Sequence, residues 1–415
     1  MREISGGVVA AKGFRAAGIR AGVKATELPL GTGAQGGKKD LAMILSDVPC
    51  AVAGMFTTNQ VKAAPIYVTM GHIAGGSCRG IIANSGNANA CAPNSRLHAV
   101  EMCAAAAEET GLIPEDFAVA STGVIGQELN IAAILQAMPE LVSRLSGEPY
   151  ASDDAAHAIM TTDTREKTIA YEVEIGGKTV RVGGIAKGSG MIHPNMGTML
   201  SFVTTDAAIT PHMLSQMVHE VVPRTFNRVT VDGDTSTNDT FLVLANGMAD
   251  NALIDWAGED YRCLRSALMA VCTDLARKMA GDGEGATRLV TCTVRGASDE
   301  AKAERLARAV VGSSLVKAAM FGADANWGRV LCAMGYSGAP FDPEQVDVTF
   351  RSSAGAVEVC QSGSALPFDE ALAKAVLSQE EVVIDIALRE GAGEATCWGC
   401  DLTYDYVKIN GDYRS

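Results

Sequence analysis

Apolar residues recur along this chain with two periods, one typical of helices and one of strands. Three segments combine the 3.6-residue period with end signals of amphipathic helices, at 94–114, 259–281 and 298–322. The first has Asn94 or Ser95 as its capping residue and Gly111 as its terminator. The second ends at Gly281, and the third is interrupted at Gly312. We therefore expect at least three surface helices packed on a core.

Runs rich in β-branched and aromatic residues predict strands. They lie at 178–186, 198–205, 288–296, 345–352, 380–388 and 402–409. Helices and strands do not alternate strictly, so the pattern favours an α+β fold over a doubly wound parallel sheet. We expect a layered sandwich of the αββα type. Because strands are densest after about residue 286, we also expect a smaller α/β C-terminal lobe there.

Charge and composition narrow the class of protein. The chain has 415 residues and a formal net charge of −14, which argues against broad binding to nucleic acid or to anionic membranes. No apolar run reaches the length of a membrane span, and Lys12, Arg15 and Arg20 interrupt the N-terminal apolar stretch. The 11 cysteines form no disulfide framework. We expect a cytoplasmic globular protein.

Several familiar motifs fail on inspection. Residues 31–36 match G-x-G-x-x-G, but the strand follows the motif instead of preceding it, so a turn is expected. Residues 232–240 resemble a calcium loop, but Thr237 stands where glycine is required and Val243 where glutamate is required. Cys397 and Cys400 form a single C-x-x-C without the second pair that zinc needs. We expect no metal site and inert, buried thiols.

Several segments rich in glycine and small polar residues match none of these excluded motifs. In chain order they read NSGNANAC, ASTGVIG, TTDT, AKGSGMIHPNMGTML, VDGDTSTNDT, AGDGEGAT, FGADANWGRV and TYDYVKINGDYRS. Together, over essentially the whole length, they resemble the ornithine acetyltransferase (glutamate N-acetyltransferase) family. The most specific segments are KGSGMIHPNMGTML and the KIN-x-DYR tail.

The resemblance implies that the chain cuts itself between Gly197 and Thr198. It divides the chain into an alpha chain, 1–197, and a beta chain, 198–415, which includes the strand-rich lobe from about 286. The new N-terminal Thr198 would be the nucleophile, and its own α-amine, with a reference pKa of about 7.7–8.0, would be the general base. The family usually has alanine where this chain has Gly197, and this still smaller residue should keep the cut.

The same resemblance assigns the remaining roles. Thr122 and Gly123 would stabilise the oxyanion of the tetrahedral intermediates. The substrate-binding residues would be Thr161, Lys187, Thr198, Glu284, Asn410 and Ser415. Lys187 could pair with a substrate carboxylate and Glu284 with the ammonium of ornithine. The family often ends in threonine, and Ser415 offers the same hydroxyl. The calcium-like segment has no clear catalytic role, but its Asp232, Asn238 or Asp239 could support these residues from behind.

The implied reaction moves acetyl from N2-acetylornithine to glutamate in arginine biosynthesis, without a cofactor. Whether acetyl-CoA also donates acetyl stays open, since no motif distinguishes the two types of family member. The implied assembly is an α2β2 heterotetramer of the cleaved fragments. Two alternatives remain at this stage: an aminopeptidase or amidase of the same fold, and an uncut binding protein for small amino-acid metabolites.

Overall fold

The computed structural model describes residues 1–24, 38–193 and 199–411. Within them, one large sheet has the strand order β1-β6-β7-β8-β9-β3-β4-β5, with β2 paired to β3. Its strands are β1 (Arg2–Ile4), β2 (Phe14–Ile19), β3 (Leu41–Phe56), β4 (Ser77–Asn87), β5 (Phe117–Val124), β6 (Lys167–Ile175), β7 (Lys178–Lys187), β8 (Leu200–Thr205) and β9 (Thr240–Ala245). The pairs β4–β5 and β8–β9 are parallel, and the other neighbours are antiparallel.

A second sheet has the order β13-β12-β11-β14-β10-β15. Its strands are β10 (Leu289–Ala297), β11 (Asp347–Ser352), β12 (Gly355–Gln361), β13 (Ser364–Ala365), β14 (Glu381–Ala387) and β15 (Gly393–Cys400). The helices of the described residues are α1 (Ala64–His72), α2 (Ser95–Thr110), α3 (Ile131–Ser143), α4 (Pro149–Ile159), α5 (Pro211–Val221), α6 (Glu259–Gly281), α7 (Glu300–Gly312), α8 (Ser314–Phe321), α9 (Trp327–Gly335), α10 (Glu370–Leu377) and α11 (Tyr404–Gly411).

The long strand β3 joins the two halves of the large sheet. Its first part pairs with β2 and β4, its register shifts between Leu45 and Cys50, and residues 51–56 pair with β9. Alternate side chains of each half point to opposite faces, as the two-residue period of a strand requires. Phe202 of β8 therefore lies in an inner core with Ile81 of β4, whereas Val203 lies in an outer core.

Helices cover both outer faces of these halves. Helix α6 packs on β6 and β7, α5 packs on β3 within the same core, and α2 and α3 pack on β2–β5. Alanine-rich α4 contributes to the inner core. The result is a layered αββα sandwich, and the α+β class is confirmed. The second sheet has a core of its own with α7–α10.

Most predicted elements are confirmed, and one is wrong. The three helices occur as α2, α6 and the pair α7–α8, which is broken between Gly312 and Ser314. The run 402–409 is not a strand, because the sheet ends at Cys400 and the chain continues as helix α11. The β-forming Tyr404 and Val407 are 85% and 69% exposed, so no neighbouring strand stabilises an extended form. Residues 31–36 lie outside the described residues.

No described helix combines the length and the apolar composition that crossing a membrane would require.

Close packing of β2 against α4 generates a first prediction. A Cβ added at Gly18 would lie 1.9 Å from the backbone oxygen of Asp154, which cannot rotate away. We expect Gly18→Ala to lower the free energy of unfolding by about 3 kcal/mol, measured by chemical denaturation. Gly71→Ala is the control, since Gly71 is an exposed helix position and nothing lies within 4 Å of its added Cβ. It should stabilise by about 0.5–1 kcal/mol, and equal losses in both variants would contradict the packing argument.

Candidate active site

A pocket of about 100 Å³ lies where β5 and β7 end, beside the loop that precedes β9. It brings together residues that are far apart in sequence. Six of the residues named from the sequence line it: Thr122, Gly123, Thr161, Lys187, Glu284 and Asn410. The other three, Gly197, Thr198 and Ser415, lie outside the described residues.

Thr122 and Gly123 occupy the end of β5, where its parallel pairing with β4 becomes irregular at Gly86 and Asn87. Thr122 is buried, and Gly123 has a φ of +135°. A Cβ on Gly123 would lie 2.3 Å from the carbonyl carbon of Gly86, so only glycine fits this position. Such an irregular strand end can expose backbone N–H groups to the pocket, as stabilisation of an oxyanion requires.

Lys187 is the cation of the pocket and is only 2% exposed. Its Nζ donates to the hydroxyl of Thr161 at 2.8 Å and lies 3.8 Å from Oδ2 of Asp163. Burial lowers the pKa of Lys187, and the Asp163 carboxylate acts in the opposite direction. A buried ammonium with few protein partners is well suited to bind a carboxylate ligand, because little water screens the pair.

Behind Lys187, buried charges alternate in sign. Asp163 accepts hydrogen bonds from Lys167 Nζ at 2.7 Å and from the backbone N–H groups of Gly188 and Thr161 at 2.7 and 3.0 Å. Burial acts to raise the pKa of Asp163, but Lys187, Lys167 and these hydrogen bonds lower it below its usual range. Lys167 in turn contacts Asp282 at 2.6 Å. The acids and bases thus neutralise each other without solvent.

Glu284 supplies the carboxylate of the pocket and is 8% exposed. Its Oε2 accepts a hydrogen bond from Nδ2 of Asn410 on α11, at 2.7 Å. Its backbone N–H donates to the Ser189 oxygen at 2.9 Å, which ties its loop to the segment after Lys187. A Cβ on Gly190 would lie 2.3 Å from Oε2, so this glycine makes space for the carboxylate.

One pocket therefore offers a buried ammonium, a carboxylate and neutral hydroxyl and amide groups. This set is complementary to an amino acid, which carries both a carboxylate and a positively charged nitrogen.

The family model of the ArgJ family matches residues 15–415. The chain belongs to the ArgJ family. The family identified from the sequence motifs is thereby confirmed. An arginine biosynthesis bifunctional protein ArgJ from Symbiobacterium thermophilum is 52% identical over 100% of both chains. A protein of the same name from Caldanaerobacter subterraneus subsp. tengcongensis is 46% identical, again over 100% of both.

Among solved structures, the bifunctional protein argJ from Bacillus halodurans is 44% identical, with a TM-score of 0.48. The match covers 51% of this chain and 98% of that one.

Two residues, Asn238 in the pocket and Lys167 behind it, have contacts in this ArgJ-family chain that the sequence did not specify. Asn238 lines the pocket and donates to the carbonyl oxygens of Ala88 and Ser121 at 2.6 and 2.8 Å, which links the loop before β9 to β5 and to the residue that follows β4. It belongs to the rejected calcium-like motif, whose density of small polar residues was the available signal. Nothing in the sequence indicates a special role for Lys167, because it begins a run of residues that is ordinary for a strand.

The C-x-x-C cysteines belong to two different hydrophobic cores. Cys397 packs in the core of the second sheet, and Cys400 packs in the outer core under α6. Burial raises the pKa of Cys397 to about 12 and also raises that of Cys400. Both thiols therefore resist ionisation, and their opposite orientation on β15 does not suit a dithiol redox pair.

The alternating charges behind the pocket generate a second prediction. Lys167→Met would leave Asp163 and Asp282 buried without their shared cation, and we expect a loss of about 3–5 kcal/mol in the free energy of unfolding. Lys278→Met is the control, because Lys278 is 40% exposed and pairs with Asp274 at the surface. It should cost less than about 1 kcal/mol. Similar losses in urea titrations of the two variants would show that the buried pairs contribute little.

Proposed function

We propose that this protein transfers the acetyl group of N2-acetyl-L-ornithine to L-glutamate through an acetyl ester on Thr198. Membership of the ArgJ family makes the chain an acyltransferase of arginine biosynthesis. The observation that supports these substrates is that Lys187 and Glu284 both line one small pocket, beside the end of β5. Lys187 would bind the carboxylate that both substrates carry, and Glu284 would bind the side-chain ammonium of ornithine.

The nucleophile would arise by self-cleavage. The hydroxyl of Thr198 attacks the carbonyl carbon of Gly197, the acyl group moves from nitrogen to oxygen, and water hydrolyses the resulting ester. The products are a carboxylate on Gly197 and a free α-amine on Thr198. This amine can then accept the proton of its own hydroxyl, so no Ser-His-Asp arrangement is needed.

Acetyl transfer then proceeds in two balanced steps. The Thr198 oxygen bonds to the acetyl carbon, its proton passes to the α-amine, and the C–N bond to ornithine breaks as that nitrogen takes up the proton. The α-amine of glutamate next attacks the ester carbon and loses a proton, the C–O bond to Thr198 breaks, and the Thr198 oxygen takes up a proton as N-acetylglutamate leaves. In both steps Thr122 and Gly123 would stabilise the oxyanion with hydroxyl and backbone N–H groups.

Acetyl-CoA would be a second donor to the same threonine. The two relatives are named bifunctional, which supports a second activity. Glutamate supplied with acetyl-CoA and no acetylornithine should yield N-acetylglutamate and free CoA, measured by mass spectrometry and a thiol reagent. Release of CoA without N-acetylglutamate would contradict transfer to glutamate.

The cleaved fragments would assemble as an α2β2 heterotetramer in the cytoplasm. The family resemblance supports this assembly, and light scattering of the purified enzyme should give twice the mass of one cut chain.

Self-cleavage is a third prediction. The purified protein should give two bands of nearly equal mass on a denaturing gel, with Thr198 as the new N-terminal residue by mass spectrometry. Thr198→Ala should stay uncut and inactive, because it lacks the attacking oxygen. Thr198→Ser is the matched control and should still be cut. An active protein that runs as one full-length band would overturn the mechanism.

The division of substrate recognition is a fourth prediction. Lys187→Met should raise KM for both acetylornithine and glutamate by about 10- to 100-fold, because a charge-assisted hydrogen bond is lost. Glu284→Gln should raise KM for acetylornithine by a similar factor and have a much smaller effect on KM for glutamate, which has no side-chain ammonium. Steady-state kinetics with each substrate varied in turn tests this. Equal effects of Glu284→Gln on both would contradict the assignment.

A further inference from the structure

Asp239 is a fully buried acid that contacts Met199, the residue after Thr198. Its side chain is 0% exposed, and its Oδ1 accepts the backbone N–H of Met199 at 3.0 Å. The next residue, Thr240, donates its own N–H to the carbonyl oxygen of Met199 at 3.0 Å. Parallel pairing of β8 with β9 continues this register from Leu200 onward. Asp239 therefore fixes the chain at the start of β8.

The second oxygen of Asp239 has no hydrogen-bond donor among the residues that the structure describes. The nearby hydroxyl of Thr57 donates its single proton to the carbonyl oxygen of Ser236 at 2.7 Å. An acceptor that is both buried and unpaired is unusual, because its desolvation is not compensated. Asp239 also follows Asn238, which lines the pocket.

We propose that Asp239 is a positioning residue: Oδ1 holds the Met199 amide, and Oδ2 accepts a hydrogen bond from the α-amine that cleavage releases on Thr198. The inference rests on the proposed self-cleavage. The backbone nitrogens of Thr198 and Met199 belong to consecutive residues and are separated by three covalent bonds, so one carboxyl group can serve both. In the uncut chain the Thr198 nitrogen is an amide without a basic lone pair.

The contact would orient the base. A neutral amine has two N–H bonds and one lone pair, so donation of one N–H to Oδ2 fixes where the lone pair points. The lone pair is then available for the proton of the Thr198 hydroxyl.

The electrostatics of Asp239 agree with such a change of partner. In the uncut chain burial raises the pKa of Asp239 well above its usual value, against the lowering effects of the Met199 amide and of Lys187. A neutral carboxyl group is the form that burial favours when no cation is in direct contact. An amine that appears beside it supplies the missing donor.

Asp239→Asn tests the role and is the fifth prediction. The amide oxygen of asparagine keeps the bond to Met199, but its NH2 group cannot accept from the amine. We expect the variant to be cut as completely as the natural chain. The cut enzyme should lose about 100-fold in kcat, with KM for both substrates changed less than about threefold, because the nucleophile is misaligned while the pocket is intact.

Asp206→Asn is the matched control. Asp206 is also 0% exposed and accepts backbone N–H groups, from Arg181 at 2.7 Å and Lys12 at 3.1 Å, but it follows the opposite end of β8. It should lower thermal stability and leave kcat within about threefold of the natural value.

Three results would overturn the positioning role: an uncut Asp239→Asn chain, an unchanged kcat in the cut variant, or a parallel loss in KM and stability that Asp206→Asn shares. Failure of the natural chain to be cut at Thr198 would instead overturn the proposed function.

Discussion

The pocket depends on a buried ammonium whose position is set by acids and bases behind it. Lys187 faces the cavity, yet its neighbour Asp163 is held by Lys167, and Lys167 by Asp282. None of these charges could be buried alone, since each would lose its hydration without compensation. The arrangement keeps a cation in a site with little water, where its interaction with an anionic ligand is strong. Residues set back from the pocket thus determine the charge that the pocket presents.

The loop from Asp232 to Asp239 has a structural role that its calcium-like sequence does not suggest. The Asp232 carboxylate accepts hydrogen bonds from the backbone N–H groups of Met191 and Ile192 at 2.6 and 2.9 Å. The Asp239 carboxylate accepts one from the backbone N–H of Met199. The acids therefore hold the chain on both sides of residues 194–198. In an EF-hand loop the same residue type would bind a cation, whereas here backbone amides occupy the carboxylates.

The sequence predicted the features that depend on local pattern and on resemblance. Periodicity located α2 and α6, and the motifs identified the family and six residues that share one pocket. It could not predict α11, because the strand-like composition of Tyr404 and Val407 has a structural meaning only where a neighbouring strand exists. Nor could it predict the role of Lys167. Its two partners lie 4 and 115 residues away, and only the folded topology brings the more distant one near.

The pocket combines side chains from both sides of the Gly197–Thr198 bond. Thr122 and Lys187 precede that bond, whereas Asn238, Glu284 and Asn410 follow it. The same is true of the large sheet, in which β7 pairs with β8 and β3 with β9. Neither half of the chain holds all of the pocket residues or all strands of the large sheet. With the proposed cut at that bond, synthesis as a single precursor would guarantee equal numbers of the two halves, and each half would fold in the presence of the partner that it needs.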